Sequence, residues 1–306
     1  GELDDDDRTT FLLCLVEEFS APAEQVLAAA DAVRRAPTAR HLSALAQISE
    51  PPRQDLLRRL NIAPGGTAAL VALRSEVLRR IDDHPELEAL DADLRHLFAA
   101  WFNRGFLELR RIDWRTPAIV LEKLIAYEAV HRIDGWEDLR RRLAADRRCF
   151  GFFHPALEDE PLIFVQVALT RGIPRHIQPL IDRAAPVAST EDADTAVFYS
   201  ISNCQGGLKG ISFGHFLIKQ VVAELSREHP GLETFTTLSP VPGFRRWLER
   251  AAEGDDGAAA TRALVDAMAP ADWQSDASTT ALRSRLEKLV ARYLVLEKTA
   301  DGLPKD

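Results

Sequence analysis

The sequence predicts an α+β chain: an all-α first part, residues 1–145, and a mixed α/β second part, residues 146–306. Three observations lead there. In the first part apolar residues recur at three- and four-residue spacing, with no alternating run. In the second, short runs rich in β-branched and aromatic residues begin at Arg148. A glycine-bearing turn joins one of these runs to an amphipathic helix, the order found where helices cover a sheet.

The elements follow in order. Phe11, Leu12, Leu15, Val16 and Phe19 mark the stripe of a first helix. Helices over Ala23–Arg35, His41–Ile48 and Pro52–Leu60 come next. Gly65 and Gly66 make a break, and Thr67 is placed to cap a helix over Ala68–Ile81. Glu86–Leu107 reads as one long amphipathic helix, with Leu87, Leu90, Leu94, Leu97, Phe98 and Trp101 inward. Pro117 suits a first helical turn, and Ile119–Val130 follows it. Trp136–Leu143 closes the set. No strand and no repeat is expected in this part. The predicted strands are Arg148–Phe153, Leu162–Thr170, Ala196–Asn203 and Thr234–Leu238. A helix over Phe213–Glu228 separates the last two. Phe244–Ala252 and Thr280–Leu296 return to helix, with an acidic glycine break at Gly254–Gly257.

Composition bounds the function. The 306 residues carry a net charge of −9, with 46% hydrophobic and 28% charged residues. That is a core-forming globular composition. It lacks the basic footprint of a nucleic-acid binder. No apolar run approaches the length of about 18 residues that a membrane helix needs. Asp4–Asp7 is read as a solvated acidic tail, opposite in charge to a targeting leader. Cys14, Cys149 and Cys204 are odd in number and far apart, without a CxxC pair. They imply a reducing compartment, taken as the cytoplasm, with no disulfide framework and no metal site built on Cys.

Single residues receive bland assignments. Tyr199 is expected in the core, and Trp101, Trp114, Trp136, Trp247 and Trp273 are expected to pack helices. Arg140–Arg142 and Arg147–Arg148 read as a solvated helix edge, with contact to a ligand phosphate the lesser alternative. His154, before Pro155, is assigned a structural hydrogen bond ahead of catalysis. His215 sits in a first helical turn, either exposed or beside a phosphate.

Two segments carry chemistry. The first is the loop Cys204-Gln205-Gly206-Gly207-Leu208-Lys209-Gly210-Ile211-Ser212-Phe213-Gly214. A glycine-rich turn from strand to helix presents backbone N–H groups and the positive end of the helix dipole. Glycine also lets the backbone approach a ligand closely. The P-loop motif fails, because Lys209 precedes Gly210 and no Lys follows it. The dinucleotide fingerprint fails on glycine spacing. On the residues alone, an anion cradle and a plain connection both stand. The second segment is Leu238-Ser239-Pro240-Val241-Pro242-Gly243-Phe244. The prolines fix their own φ and restrict the residues before them. Ser239 is thereby expected to be extended at the C-terminal end of a strand, where ligands gather in α/β sheets. The alternative is a turn serine ahead of a helix. Ser239 is not in a GxSxG elbow, so no hydrolase is marked.

Together these segments resemble the malonyl-CoA decarboxylase family. The resemblance rests on Phe198-Tyr199-Ser200-Ile201-Ser202, Gln205-Gly206-Gly207-Leu208-Lys209-Gly210, Phe216-Leu217-Ile218-Lys219 and Leu238–Phe244. Upstream, Trp101–Leu107 and Phe153-His154-Pro155 add to it. It implies an oligomerising helical domain over residues 1–145. It also implies a GNAT-like acyl-CoA-binding catalytic domain over residues 146–306, incomplete at its C-terminus. In that fold the coenzyme A pyrophosphate lies on the strand-to-helix loop. The usual pattern there is Gln or Arg, two variable residues, Gly, one variable residue, then Gly or Ala. Here it falls on Lys209, Gly210, Ile211, Ser212, Phe213 and Gly214, with Lys209 and Ser212 as departures. The family's malonyl-CoA stretch covers these six and His215, and its catalytic Ser falls on Ser239. Its catalytic His is expected beyond Asp306. The implied reaction takes malonyl-CoA to acetyl-CoA and CO2 in a cytoplasmic homo-oligomer, commonly a tetramer. It needs no cofactor and no metal, because the substrate carries its own coenzyme A. An acyl-CoA-dependent acetyltransferase and a non-catalytic coenzyme A-binding assembly fragment are the rival readings.

Overall fold

The computed structural model describes residues 4–211, 216–253, 258–268 and 279–298. Packing divides the chain into two compact units, Gly1–Leu238 and Ser239–Asp306. The first unit opens with helices α1 (Asp5–Glu17), α2 (Ala23–Arg35), α3 (Ala39–Ser49), α4 (Pro52–Ile62), α5 (Gly66–Arg80) and α6 (Glu88–Trp101). Strand β1 (Glu108–Ile112), helices α7 (Ala118–Tyr127) and α8 (Gly135–Arg142), and strands β2 (Arg147–Phe153) and β3 (Pro161–Thr170) follow. The short helix α9 (Gln178–Ile181), β4 (Thr195–Asn203), α10 (Phe216–Glu228) and β5 (Thr234–Thr237) complete it. The second unit holds α11 (Phe244–Glu253), α12 (Ala258–Ala267) and α13 (Thr279–Leu296). The α+β class is as the sequence predicts.

Local chemistry sets the boundaries. The acidic tail is not loose. Asp4 caps α1 by accepting from Asp7 N at 2.8 Å, and Asp5–Asp7 form its first turn, where negative charge meets the helix dipole. Thr67 does not cap α5. The helix starts one residue earlier, behind Gly65 at φ +73°, and Thr67 Oγ1 donates to Asn61 Oδ1 at 2.9 Å. Gly66 is required there, since a Cβ would fall 1.9 Å from the Leu60 carbonyl oxygen.

The expected helix over Glu86–Leu107 ends at Trp101, and a strand appears where none was expected. β1 pairs antiparallel with β2, Glu108 opposite Phe153 through Ile112 opposite Cys149. Its sequence, Glu-Leu-Arg-Arg-Ile, has the charges that keep an edge strand from pairing further. Those charges hide the alternation a strand is recognised by.

The sheet runs β1-β2-β3-β4-β5. The first four strands are antiparallel neighbours, and β5 lies parallel to β4. A bulge interrupts the β3–β4 ladder: Gln166 pairs with Ser200 and Val167 with Phe198, so Tyr199 is the extra residue. β5 pairs with β4 only from Thr195 to Phe198, and the Leu238 N–H then donates to the Phe198 carbonyl at 2.9 Å. β4 continues along β3 to Asn203.

One apolar cluster joins Leu70, Leu90, Leu94 and Phe98 of the helices to Phe150, Val165 and Phe198 of the sheet and to Val221 of α10. A second places Val120, Leu124 and Leu139 of α7 and α8 against Ile112, Cys149 and Phe164. Residue 145 falls within the first unit, Gly1–Leu238.

The arginines expected on a solvated edge are mostly buried, with ionic partners. Arg141 forks onto Asp146 at 2.8 and 3.0 Å, and Arg142 donates to Asp138 at 3.1 Å. Arg147 pairs with Asp146 at 2.9 Å, and Arg148 donates to Glu228 at 2.9 Å. Only Arg140 of the five is exposed, lying 5.6 Å over the ring of Trp114. Trp114 and Trp136 are themselves exposed, not core, and Trp273 falls outside the described residues. Tyr199 is buried as expected.

Burial alone would raise the Asp146 carboxyl. The Arg141 fork, the Ala188 N–H and Arg147 outweigh burial and hold it below the ordinary carboxylate value. A depressed native value contributes stability above the unfolded value near pH 4, and that stability drains as pH falls through the native value. Equilibrium unfolding between pH 3 and pH 7 should therefore weaken on the acid side. Asp146→Asn should flatten that slope and cost about 3 kcal/mol at neutral pH, because it strands two buried guanidinium groups.

Candidate functional site

The loop after β4 is built from both parts of the first unit. Its second residue, Gln205, donates from Nε2 to Glu160 at 3.1 Å and to the Pro161 carbonyl at 3.3 Å. Gly207 lies directly on α5: a Cβ there would sit 1.9 Å from the Val71 carbonyl oxygen, so no other residue fits. Beneath the loop is Arg74 of α5, 2% exposed. Its Nη1 donates to the Gly207 carbonyl at 2.7 Å and to the Lys209 carbonyl at 2.9 Å. Its Nε donates to Asp91 of α6 at 2.7 Å.

The loop turns more tightly than an open cradle. The N–H groups of Leu208, Lys209 and Ile211 donate to the carbonyls of Gln205, Gly206 and Leu208, at 2.9, 3.1 and 3.0 Å. These three amides are occupied within the loop. Gly210 takes φ +76°, the left-handed region that glycine adopts without strain. Lys209 is exposed, so its ammonium stands in solvent while its carbonyl is buried on Arg74. Of the expected binding stretch, Lys209, Gly210 and Ile211 are thus brought together at the turn. Ser212, Phe213, Gly214 and His215 lie outside the described residues.

Ser239 opens the second unit and is exposed. Downstream of it the chain is firmly held. Tyr293 Oη donates to the Pro242 carbonyl at 2.7 Å, and Gly243 takes φ +73°. Phe244, Trp247 and Tyr293 pack as an aromatic triangle with centroids 5.5 to 5.8 Å apart. His154, weighed as a structural residue, is one. Its Nδ1 accepts from the Ala156 N–H at 3.1 Å and its Nε2 donates to the Trp101 carbonyl at 3.2 Å. Burial lowers its pKa, against the Trp101 carbonyl and Glu108, which favour the charged form.

A buried carboxylate was not foreseen. Glu128, at the end of α7, accepts the N–H groups of Val130 and His131, each at 2.8 Å. It also accepts the Ser200 hydroxyl at 2.8 Å, the Ser202 hydroxyl at 3.3 Å and the Gln166 amide. Gln166 Oε1 in turn accepts from Tyr199 Oη at 2.8 Å. This network lies at the bulge, where β4 parts from β5. No lysine or arginine pairs with Glu128 among the described residues. Its carboxyl oxygens are satisfied by hydrogen bonds.

The signals for these residues were in the sequence. Arg74 stands at helical spacing between Leu70 and Val77, on the inward stripe of α5, and Asp91 stands beside Leu90 and Leu94 on α6. A charge on an apolar stripe is the informative exception. Glu128 carries the same mark, standing at helical spacing from Leu121 and Leu124 within the helix expected over Ile119–Val130.

Comparison with known proteins decides the family. The malonyl-CoA decarboxylase C-terminal domain model matches residues 105–306, and the N-terminal domain model of the same name matches residues 19–102. The chain belongs to the malonyl-CoA decarboxylase family. The structure of malonyl-CoA decarboxylase from Rhodopseudomonas palustris is 52% identical, with a TM-score of 0.91, over 100% of this chain and 75% of that one. The structure from Agrobacterium vitis is 49% identical, with a TM-score of 0.88, over 99% and 75%. Mitochondrial malonyl-CoA decarboxylase of Anser anser anser is 38% identical over 79% of this chain and 51% of that protein. The Rattus norvegicus protein of that name is 39% identical over 65% and 42%. The chain thus spans about half the length of the curated relatives it matches. No helix among the described residues is long and apolar enough to cross a membrane, and none of their His, Cys, Asp and Glu groups is placed to hold a metal ion.

Two substitutions probe this geometry. Glu128→Ala leaves two backbone N–H groups, two hydroxyls and an amide without their acceptor. It should cost about 3 kcal/mol or more in urea unfolding. Gly243→Ala places a Cβ 2.8 Å from Tyr293 Oη at a positive φ. It should destabilise the second unit by about 1–3 kcal/mol, read as a lowered melting temperature.

Proposed function

We propose that this chain carries the acyl-CoA site of a malonyl-CoA decarboxylase and converts malonyl-CoA to acetyl-CoA and CO2. What supports this most is the 52% identity, over the whole chain, to a solved protein of that name. The loop geometry is compatible with it. Malonyl-CoA has a carboxylate β to a thioester carbonyl. Cleavage of the bond to that carboxylate releases CO2 and sends the electron pair into the carbonyl, leaving a thioester enolate. A proton delivered to carbon then completes acetyl-CoA. The substrate provides its own electron sink, so the reading calls for no cofactor and no metal. The protein must hold the breaking bond across the carbonyl plane and place a donor at the developing oxyanion.

Lys209, Gly210 and Ile211, continued by Ser212, Phe213, Gly214 and His215, are the proposed coenzyme A phosphate stretch. With three loop amides occupied internally, the exposed Lys209 ammonium is the group offered to phosphate within the described loop. Beyond Phe198, the edge of β4 has no strand beside it among the described residues. Its backbone groups are suited to the amides of an extended pantetheine arm, added as a strand would be. Ser239 is the proposed catalytic hydroxyl, donating to the malonyl carboxylate or the enolate. A serine hydroxyl is no acid–base group on its own at neutral pH. The proton for carbon therefore needs a second group, and the family's histidine is the one proposed. In a chain that carries that histidine, Ser239→Ala should lower turnover by about 100-fold, the loss typical of one oxyanion donor, measured as acetyl-CoA formed from malonyl-CoA. Unchanged turnover would remove Ser239 from the mechanism.

The helical region of residues 1–145 is the proposed oligomerisation region, and the assembly a tetramer. The support is the α2–α3 hairpin. Neither helix contains a buried residue, and each packs mainly on the other. Leu27 and Leu42 are 67% and 51% exposed on it. Paired Leu27→Asp and Leu42→Asp changes should shift the sedimenting species to a smaller one. The three free thiols support the proposed cytoplasmic location.

A further inference from the structure

Arg74 lies in the helical region, far in sequence from the loop it touches. One of its terminal nitrogens serves both the Gly207 and the Lys209 carbonyls, while its Nε is fixed by Asp91. The guanidinium is almost wholly buried, and the loop offers no acidic side chain to it. The two carbonyls are therefore its ligands on that side. Drawing both inward orients the peptide planes of Gly207 and Lys209. The Lys209 side chain and the left-handed turn at Gly210 follow directly from those planes. Gly207 fits only because nothing separates it from the α5 backbone.

We infer that Arg74 is a positioning residue for coenzyme A. It holds the phosphate loop in its binding shape, and Asp91 holds Arg74. The helical region is then part of the ligand site as well as an assembly surface. This rests on the reading of the loop as the coenzyme A site. Arg74 itself touches no ligand, since it is covered by the loop.

The test is calorimetric titration of the chain with coenzyme A and with acetyl-CoA. Arg74→Lys keeps a cation beside Asp91 but has one nitrogen, which cannot reproduce the forked contact to Asp91 and both carbonyls. Both dissociation constants should rise by the same factor, about tenfold, as for one lost charge-assisted hydrogen bond. The equal factor follows because the loop serves the phosphate end and not the acyl group. Hydrogen exchange of the ligand-free peptide over residues 205–211 should quicken in parallel. Leu12→Ala, which opens the same helical core elsewhere, should lower the melting temperature and leave both constants within about twofold. Should Arg74→Lys fail to fold, Asp91→Asn decides, because it keeps the shape of the residue that holds Arg74 but removes its charge, and it should weaken both ligands alike. Faster loop exchange with unchanged affinity would overturn the inference, as would an equal loss of affinity in Leu12→Ala. An unaltered chain that binds neither coenzyme A nor acetyl-CoA would overturn the reading of the loop itself, and the inference with it.

Discussion

Two carbonyl groups of an irregular loop and one guanidinium set the relation between the halves of the first unit. A loop has no ladder to satisfy its backbone, so its buried carbonyls need partners from elsewhere. At Gly207 and Lys209 that partner is Arg74. A buried guanidinium in turn needs a counter-charge, and Asp91 supplies it at 2.7 Å. Removing any one of these groups leaves the others desolvated and unpaired, which costs more than the pair contributes when intact. The arrangement therefore persists as a set. It ties α5 and α6 to the end of β4 more specifically than the apolar cluster around them. Apolar contact fixes proximity, whereas these hydrogen bonds fix orientation.

The two faces of the sheet are built on different principles. The face toward α5, α6 and α10 is apolar, with Phe150, Val165 and Phe198 packed on helical leucines. Part of the other face is polar. There Gln166, Ser200 and Ser202 meet the Glu128 carboxylate, and Tyr199 closes the network. The hydroxyls of Ser200, Ser202 and Tyr199 each meet an acceptor, and a satisfied buried polar network favours one arrangement. Nearby, Arg141, Arg142 and Arg147 are matched by Asp138 and Asp146. Covering this face with charged α8 thus depends on pairing more than on area.

What could be read from the sequence follows the same division. Helices with an apolar stripe were legible, as were strands made of valine, isoleucine and phenylalanine. β1 was not, because an edge strand is protected by the charges that disguise it. Buried arginines were not, although Asp138 lies one turn before Arg142 on α8 and Asp146 adjoins Arg147: burial of these local pairs, and the distant partner Glu228 of Arg148, come only with the fold. In the loop, the glycines were legible as glycines. Their reasons differ, however: Gly207 answers to the α5 backbone and Gly210 to a positive φ. Of the loop amides, those of Leu208, Lys209 and Ile211 are taken by carbonyls of the same turn, which a count of glycines does not reveal.

The bulge at Tyr199 connects these pieces. An extra residue bends and twists the strand that carries it. β4 meets that bend where β5 ends, so the two strands share only the residues from Thr195 to Phe198. On the β3 side β4 stays paired to Asn203, held from below by Glu128 through Ser200 and Ser202. On the other side its edge is left without a strand among the described residues. A strand edge free on one side and rigid on the other is suited to receiving an extended chain of amides without first having to be ordered, which lowers the entropic cost of binding. The same stiffness delivers the loop after Asn203 to Arg74 in one register. The proposed binding edge and the proposed phosphate loop thus follow one another along the chain, so that holding β4 holds both.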